Sequence, residues 1–489
     1  MRDQVLILNF DGSYSAALAS KLRAEKISAK ILPGNTSAEQ IMGEEALGII
    51  LSGGTKGEVP VDLDGQLLRS GIPVLALGST VPAVTTLLGG QVDEALPIDD
   101  VDTLTFLPSR ITEDLHESER MFGTVHTLGL TDDLEPLALY EDKPIGLAHK
   151  TLEIYAIGCQ LEPNDPDMMS LLTQFAINVC GCTRWWSEDS FISITRAQIQ
   201  EKAGDGRALC VMSGGLDSGV TALLAHRALG DQLTCVFVDT GLLRENEVVE
   251  FSAYYKNAGL NLEIINAEDR VMEALAGLTK QSDKANALRK TLQAVLKETG
   301  ERLEYSLLIE SKSSDYLFSN SAPSKAASVL AEGVDTIAPL ADLFKEEIRR
   351  VGEALGLPQH MTAMQPFPFT GLALRIIGEC TKERLNLLRW ADAAFRQEIE
   401  DAGLAKRLWK YFAMLHEVPY QETEEDSLVI LLRAVSVSHT GSDLRALPAR
   451  LPYDLLERYT QRAFKHSPLV KKVIWDLTPA HSLQEAEWP

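Results

Sequence analysis

The run Arg207-Ala-Leu-Cys-Val-Met212 leads into Ser213-Gly-Gly-Leu-Asp-Ser-Gly219 and then into a second apolar stretch, Val220–Leu229. The first run reads as a buried strand, the last as a helix, with a glycine-bearing turn between them. That is the repeating unit of a parallel α/β sheet, whose ligands lie at the carboxyl ends of its strands. Gly214 and Gly215 let backbone N–H groups approach phosphate oxygens. The amino terminus of the following helix adds positive partial charge. Ser213 and Ser218 offer hydroxyl donors to the same oxygens. Asp217 cannot face a phosphate bare, so its role is to hold Mg²⁺. No Gly-Lys-Ser/Thr follows, so the turn is not of the Walker type. An ordinary loop with an aspartate helix cap is the alternative.

The same alternation runs through the rest of the chain. Val5–Asn9 reads as a strand, followed by helical spacing over Ser15–Arg23 (Ala16, Leu18, Ala19, Leu22). Ile49–Leu51 runs into Ser52-Gly53-Gly54, and Pro73–Leu77 into Gly78-Ser79-Thr80 and the apolar Ala83–Leu88. Leu233–Asp239 is a strand, Lys284–Thr299 and Phe344–Leu355 are helical, and Ser311–Ser324 is a loop. Pro358, Pro366 and Pro368 punctuate a boundary. Helices are expected over Thr381–Ala402 and Pro452–Phe464, and strands over Leu428–Val437 and Val470–Leu477. The fold class is α/β: two consecutive mostly parallel-sheet α/β domains, 1–186 and 187–364, and a smaller α/β (α+β) domain, 365–489.

Composition narrows the function. The 489 residues are 45% apolar, which excludes a disordered chain. The net charge of −24 argues against non-specific nucleic-acid binding, which needs a basic face. Six cysteines do not make a disulfide framework, and Cys180-x-Cys182 has no second ligand pair at zinc spacing. No stretch reaches the ~18–20 apolar residues of a membrane span, so a soluble, cytoplasmic protein is expected.

Ser213-Gly-Gly-Leu-Asp-Ser218, with Val236-Phe-Val-Asp-Thr-Gly-Leu-Leu-Arg-Glu-Asn-Glu247 on the next strand and turn, resembles the N-type ATP-pyrophosphatases, and more narrowly the GMP synthetase family. The likeness extends over nearly the whole chain. It includes Gln174–Cys182 with Trp185, Ala274–Gly277, Ala338-Pro-Leu340, Phe344-Lys-Glu-Glu-Ile348, Pro366–Ala373 with Arg375, Arg433-Ala-Val435, Leu451–Glu457 and Glu487-Trp488. The resemblance implies a class I glutamine amidotransferase domain, an ATP-pyrophosphatase domain and a small dimerisation domain, hence a homodimer. It implies ATP and Mg²⁺ as cofactors, xanthosine monophosphate (XMP) as acceptor and ammonia as nitrogen donor. ATP would contact Ser213, Gly214, Gly215, Leu216, Asp217, Ser218, Gly219, Val238 and Asp239, with Asp217 and Ser213 the catalytic pair. Acceptor contacts carried over are Arg244, Lys312, Arg375 and Glu487; a structural salt bridge is the alternative for Arg244 and Arg375, and a solvated loop charge for Lys312.

The chain departs from the family where glutamine would be hydrolysed. The family places a cysteine in G-x-C-x-G at a sharp turn after a strand. Here Gly78 stands at the nucleophile, Ser79 follows, and Ala76 and Thr80 replace the glycines. The base motif His-Pro-Glu is reduced to Gln160 and Glu162, and glutamine is no base near neutral pH. Cys159 reads as a buried structural thiol. A glutaminase-inactive domain is expected. The acceptor half is altered too. Both lid histidines are absent after Lys312, the Pro-Phe-Pro turn changes at Phe369 and Thr370, and Ala480-His481 stands where the family has a phosphate-binding lysine. Each lost charge-assisted phosphate contact removes ~1.5–3 kcal/mol. Three readings follow: an adenylating ligase with a changed acceptor or amine, a non-catalytic ATP-binding scaffold, and ammonia-dependent GMP synthesis at a substituted site. Trp185-Trp186 reads as linker packing and Arg289 as a solvated charge.

Overall fold

The computed structural model describes residues 2–10, 13–53, 63–98, 104–113, 115, 123–159, 166–314, 327–363, 371–417, 427–440 and 443–479. The chain divides into two compact units, one of Met1–Ser193 with Asp342–Phe344, the other comprising most of Ile194–Pro489.

The first unit is built on ten strands: β1 (Arg2–Asn9), β2 (Ala29–Pro33), β3 (Ala46–Ser52), β4 (Val74–Leu77), β5 (Gln91–Ile98), β6 (Thr105–Phe106), β7 (Gly123–Gly129), β8 (Leu134–Tyr140), β9 (Lys143–His149) and β10 (Ile154–Ile157). Eight of them form a sheet in the order β2-β1-β3-β4-β10-β9-β8-β6. The β2 to β10 half is parallel, with Val5 opposite Ala29 and Leu51 opposite Ala76. Its strands are apolar without alternation because both faces are covered. Val5, Ile7, Leu75 and Leu77 pack with α1 (Ser13–Ala24), while Leu6, Leu8, Val74 and Ala76 face the other way. The β10-β9-β8-β6 half is antiparallel. It rests on a two-residue hairpin at Glu141-Asp142, with φ of 48° and 61°, between the paired Tyr140 and Lys143. Two consecutive positive φ values match the twist of the flanking strands.

The second unit carries two sheets. The first is parallel throughout, in the order β13-β12-β11-β14-β15: β11 (Ala208–Met212), β12 (Leu233–Asp239), β13 (Leu262–Asn266), β14 (Leu307–Ile309), β15 (Asp335–Ile337). From β11 the chain builds outward to β13, then returns to the other side as β14 and β15. The order therefore reverses at β11, and a crevice opens at its carboxyl end. The helices α2 (Leu216–Leu229), α3 (Gln281–Arg302) and α4 (Lys345–Ala354) belong to this part. The other sheet is mixed: β16 (Ile376–Ile377) is parallel to β17 (Lys410–Glu417), which with β18 (Leu428–Thr440) and β19 (Asp443–Pro448) is antiparallel, and β20 (Val470–Trp475) joins β18 in parallel. Helix α5 (Lys382–Asp401) starts at Thr381, whose side chain accepts from the Arg384 N–H, and α6 (Tyr453–His466) meets it where Tyr459 donates to the Ala391 carbonyl. Residues 187–364 and 365–489 thus hold a sheet each, yet one apolar core runs from Leu209 to Val470.

Candidate functional site

The turn expected between strand and helix lies at the reversal point. β11 ends at Met212, Ser213 to Gly215 form the turn, and Gly215 caps α2. Gly214 sits at φ +85°, a conformation that an L side chain resists. The loop holds its shape by itself. The Ser218 hydroxyl donates to the Gly215 carbonyl at 2.9 Å and accepts from the Ser213 N–H and hydroxyl, both at 3.2 Å. Ser218 is 1% exposed, so it braces the loop from within, while Ser213 and Gly215 are exposed. Leu216 is buried in α2. Gly219 is a packing residue: a Cβ there would come within 1.9 Å of the Tyr255 hydroxyl.

Asp217 stands in the first turn of α2, half-buried, and two groups reach its carboxylate. The Lys345 ammonium pairs with Oδ1 at 2.5 Å, and the Ser313 hydroxyl donates to Oδ2 at 3.3 Å. Lys345 opens α4, 128 residues along the chain, and Ser313 follows β14. A carboxylate at the mouth of a glycine loop, already holding one cation, has the oxygen chemistry that Mg²⁺ takes. Val238 and Asp239 end the neighbouring strand. Asp239 accepts from Gly241 N–H through Oδ1 and from Ala267 N–H through its carbonyl, which fixes the turn toward Arg244.

Two of the expected acceptor contacts come together. Arg244 Nε lies 3.2 Å from Asp392 Oδ2, and Arg375 Nη1 lies 3.1 Å from Asp392 Oδ1. All three are buried. Arg375 also stands 4.4 Å over the Phe412 ring, and burial lowers its pKa to about 10. α5 organises both segments. Asp392 gathers the two guanidiniums, while Arg389 donates to the carbonyls of Gly241 and of Leu243. The Leu372 N–H donates to the Leu242 carbonyl, joining the two segments directly. Lys312 is elsewhere: exposed and paired with Glu310 at 2.8 Å. Glu487 lies outside the described residues. Sequence reasoning missed Lys345, Ser313 and Asp392. Lys345 stood within a matched segment, but nothing local ties it to Asp217. Asp392 lies on a buried helix face, where an aspartate needs a cationic partner.

At the end of β4 the expected turn is present. Gly78 is buried at φ +60° and opens a 3₁₀ turn, Gly78–Thr80, whose Thr80 hydroxyl bonds the Leu77 carbonyl at 2.9 Å. The residue that opens this turn has no side chain. Gln160 and Glu162 lie outside the described residues. Cys159 is buried, its thiol pushed up to about 12 by desolvation, and so is no nucleophile near neutral pH. Trp185 Nε1 donates to the Asp3 carbonyl at 2.9 Å and Arg289 bonds Asn286. Among the described residues no cluster of His, Cys, Asp or Glu could hold a metal by itself, and no helix is long and apolar enough to cross a membrane.

Comparison with known proteins adds lineage to this geometry. The NAD synthase family model matches residues 191–369, which include the whole loop together with Ser313 and Lys345. The glutamine-hydrolysing GMP synthase of Acetivibrio thermocellus is 32% identical over 97% of this chain and 97% of that protein. The protein of the same name from Ruminiclostridium cellulolyticum is 33% identical over 97% of this chain and 98% of its own length.

Proposed function

The chain belongs to the GMP synthase family, and on that premise we propose an ATP-dependent adenylating ligase that splits ATP into AMP and pyrophosphate and takes its nitrogen as free ammonia. The observation that carries this is the self-braced loop Ser213–Gly219 with Asp217 at its mouth.

The loop residues would do the positioning. N–H groups of the Gly214–Leu216 turn would face the phosphates, at the amino terminus of α2, with the Ser213 hydroxyl joining them once it leaves Ser218. Asp217 fits Mg²⁺, which when bound neutralises phosphate oxygens. Lys345, now on Asp217, is the second cation within reach of the leaving pyrophosphate. An acceptor carbonyl oxygen attacks the α-phosphorus and pyrophosphate leaves. Ammonia then attacks the activated carbon, AMP leaves with the former carbonyl oxygen, and the nitrogen releases its surplus protons to solvent. XMP is the acceptor we infer, giving GMP, with Arg244 and Arg375 as the cationic groups nearest it.

Gly78 has no nucleophile to offer, so we assign no glutamine hydrolysis to residues 1–186. Residues 187–364 are read as the ligase domain and 365–489 as a dimerisation domain of a cytoplasmic homodimer. Exposed Leu447, Tyr453, Ile474 and Leu477 support the last assignment. One observation favours a second reading, a non-catalytic scaffold: Asp217, Lys345, Ser313, Lys312 and Glu310 are all engaged with one another in pairs.

Pyrophosphate release from MgATP separates the two, measured with and without XMP, with ammonium or glutamine, and with Asp217→Ala as control. Release that requires XMP and ammonium, and that glutamine does not support, is expected. No release above the control in any mixture sinks the ligase and leaves the scaffold.

A further inference from the structure

Lys284 is a buried lysine on the first turn of α3, 1% exposed. Its ammonium donates to the carbonyl of Ile376 at 2.6 Å and of Ala373 at 3.4 Å. One turn earlier, Gln281 Nε2 donates to the carbonyls of Leu374 at 2.9 Å and Ile376 at 3.3 Å. These three carbonyls flank Arg375, the last residue of the short 3₁₀ helix Gly371–Arg375. The final carbonyls of a helix lack partners within it, and a cation there satisfies them and suits the helix dipole. A methionine or leucine would fill the same space without the desolvation cost of a buried ammonium. Neither would donate to the Ile376 and Ala373 carbonyls.

We infer that Lys284, with Gln281, is a positioning residue for the acceptor: it fixes the backbone on both sides of Arg375 and so aims the guanidinium at Asp392 and the acceptor site. The inference rests on the ligase reading, which makes Arg375 an acceptor-site residue and XMP the probe. Among the described residues, Lys284 donates to this segment alone and makes no bond to the loop at Ser213–Gly219, so its effect separates acceptor binding from ATP binding.

The test is XMP affinity, by calorimetry, of the full chain loaded with a non-hydrolysable ATP analogue and Mg²⁺. Lys284→Met is expected to weaken XMP at least about tenfold, with the affinity for the ATP analogue changed less than about twofold. Gln281→Leu should weaken XMP by about threefold, and Lys284→Arg should restore binding to within about threefold of the natural chain. Equal loss of XMP and nucleotide affinity, or unchanged XMP affinity in Lys284→Met, overturns the inference. Should the natural chain bind no XMP, the ligase reading on that acceptor fails by itself. The inference is then decided by the crystal structure of Lys284→Met or, if that variant does not fold, of Gln281→Leu. Displacement of Arg375 from Asp392 supports it, and an unmoved pair refutes it.

Discussion

Replacing Asp392 by asparagine tests the charge logic of the acceptor side. The change keeps the shape and removes the charge that two buried guanidiniums share, on a side chain 1% exposed. Oδ1 can still accept from Arg375 and from the Ala413 N–H at 3.3 Å. The new amide nitrogen would face Arg244 Nε, donor against donor. Removing one partner of a buried ion group costs about 3–5 kcal/mol, because it strands the other charge. For a unit of this size, at roughly 2.1 cal/mol/K of unfolding entropy per residue, about 4 kcal/mol lowers the melting temperature by roughly 7 °C. The assay is thermal unfolding followed by the fluorescence of Trp390, Trp409 and Trp475 in the same unit. Adding Arg375→Met should recover part of the loss, since one stranded guanidinium is gone and methionine keeps the contact with Phe412. A drop below about 2 °C for Asp392→Asn alone refutes the reasoning: the two arginines would then be balanced by other groups.

Asp217→Asn should cut ATP-dependent pyrophosphate release at least about a hundredfold while leaving the melting temperature within a few degrees, read by coupled pyrophosphate assay and by thermal scan. Lys410, buried on β17, is lowered to about 7 by desolvation and by Arg375. The unfolded lysine, near 10.5, keeps a proton that the folded one has lost between those values, so this group's contribution to stability rises from pH 7 to 10.5. Unfolding free energies from denaturant titrations should therefore climb less with pH in Lys410→Met than in the natural chain, by up to about 1.4 kcal/mol per pH unit. All six cysteines are buried and free, so iodoacetamide at pH 8 should label none in the native chain and six after unfolding, counted by mass spectrometry.

The parts legible in sequence were those where one apolar run makes one element. β1, β3, β4, β11 and β12 announced themselves because strands covered on both faces must be apolar throughout. The β8–β9 hairpin did not, since Glu141-Asp142 carries none of the Asn-Gly or Asp-Gly signal that usually marks such a turn. The loop at Ser213 was legible in shape, as a turn between strand and helix, though not that Ser218 braces it from inside. Arg244 and Arg375 were visible as candidates, but their meeting point was not: Asp392 sits in a helix whose spacing says only that one face is buried. Lys345 and Lys284 were illegible for the same reason. Each acts on a partner about a hundred residues away, and no local pattern encodes that reach.

The turn after β4 keeps a left-handed backbone at Gly78 in a place where the family sets a cysteine. An L residue returned to that position would carry about 1–3 kcal/mol of strain, and it would find glutamine at position 160 where a base belongs. Glycine takes this bend without that strain, so any side chain introduced at position 78, whatever its chemistry, starts from a conformational cost that Gly78 does not carry.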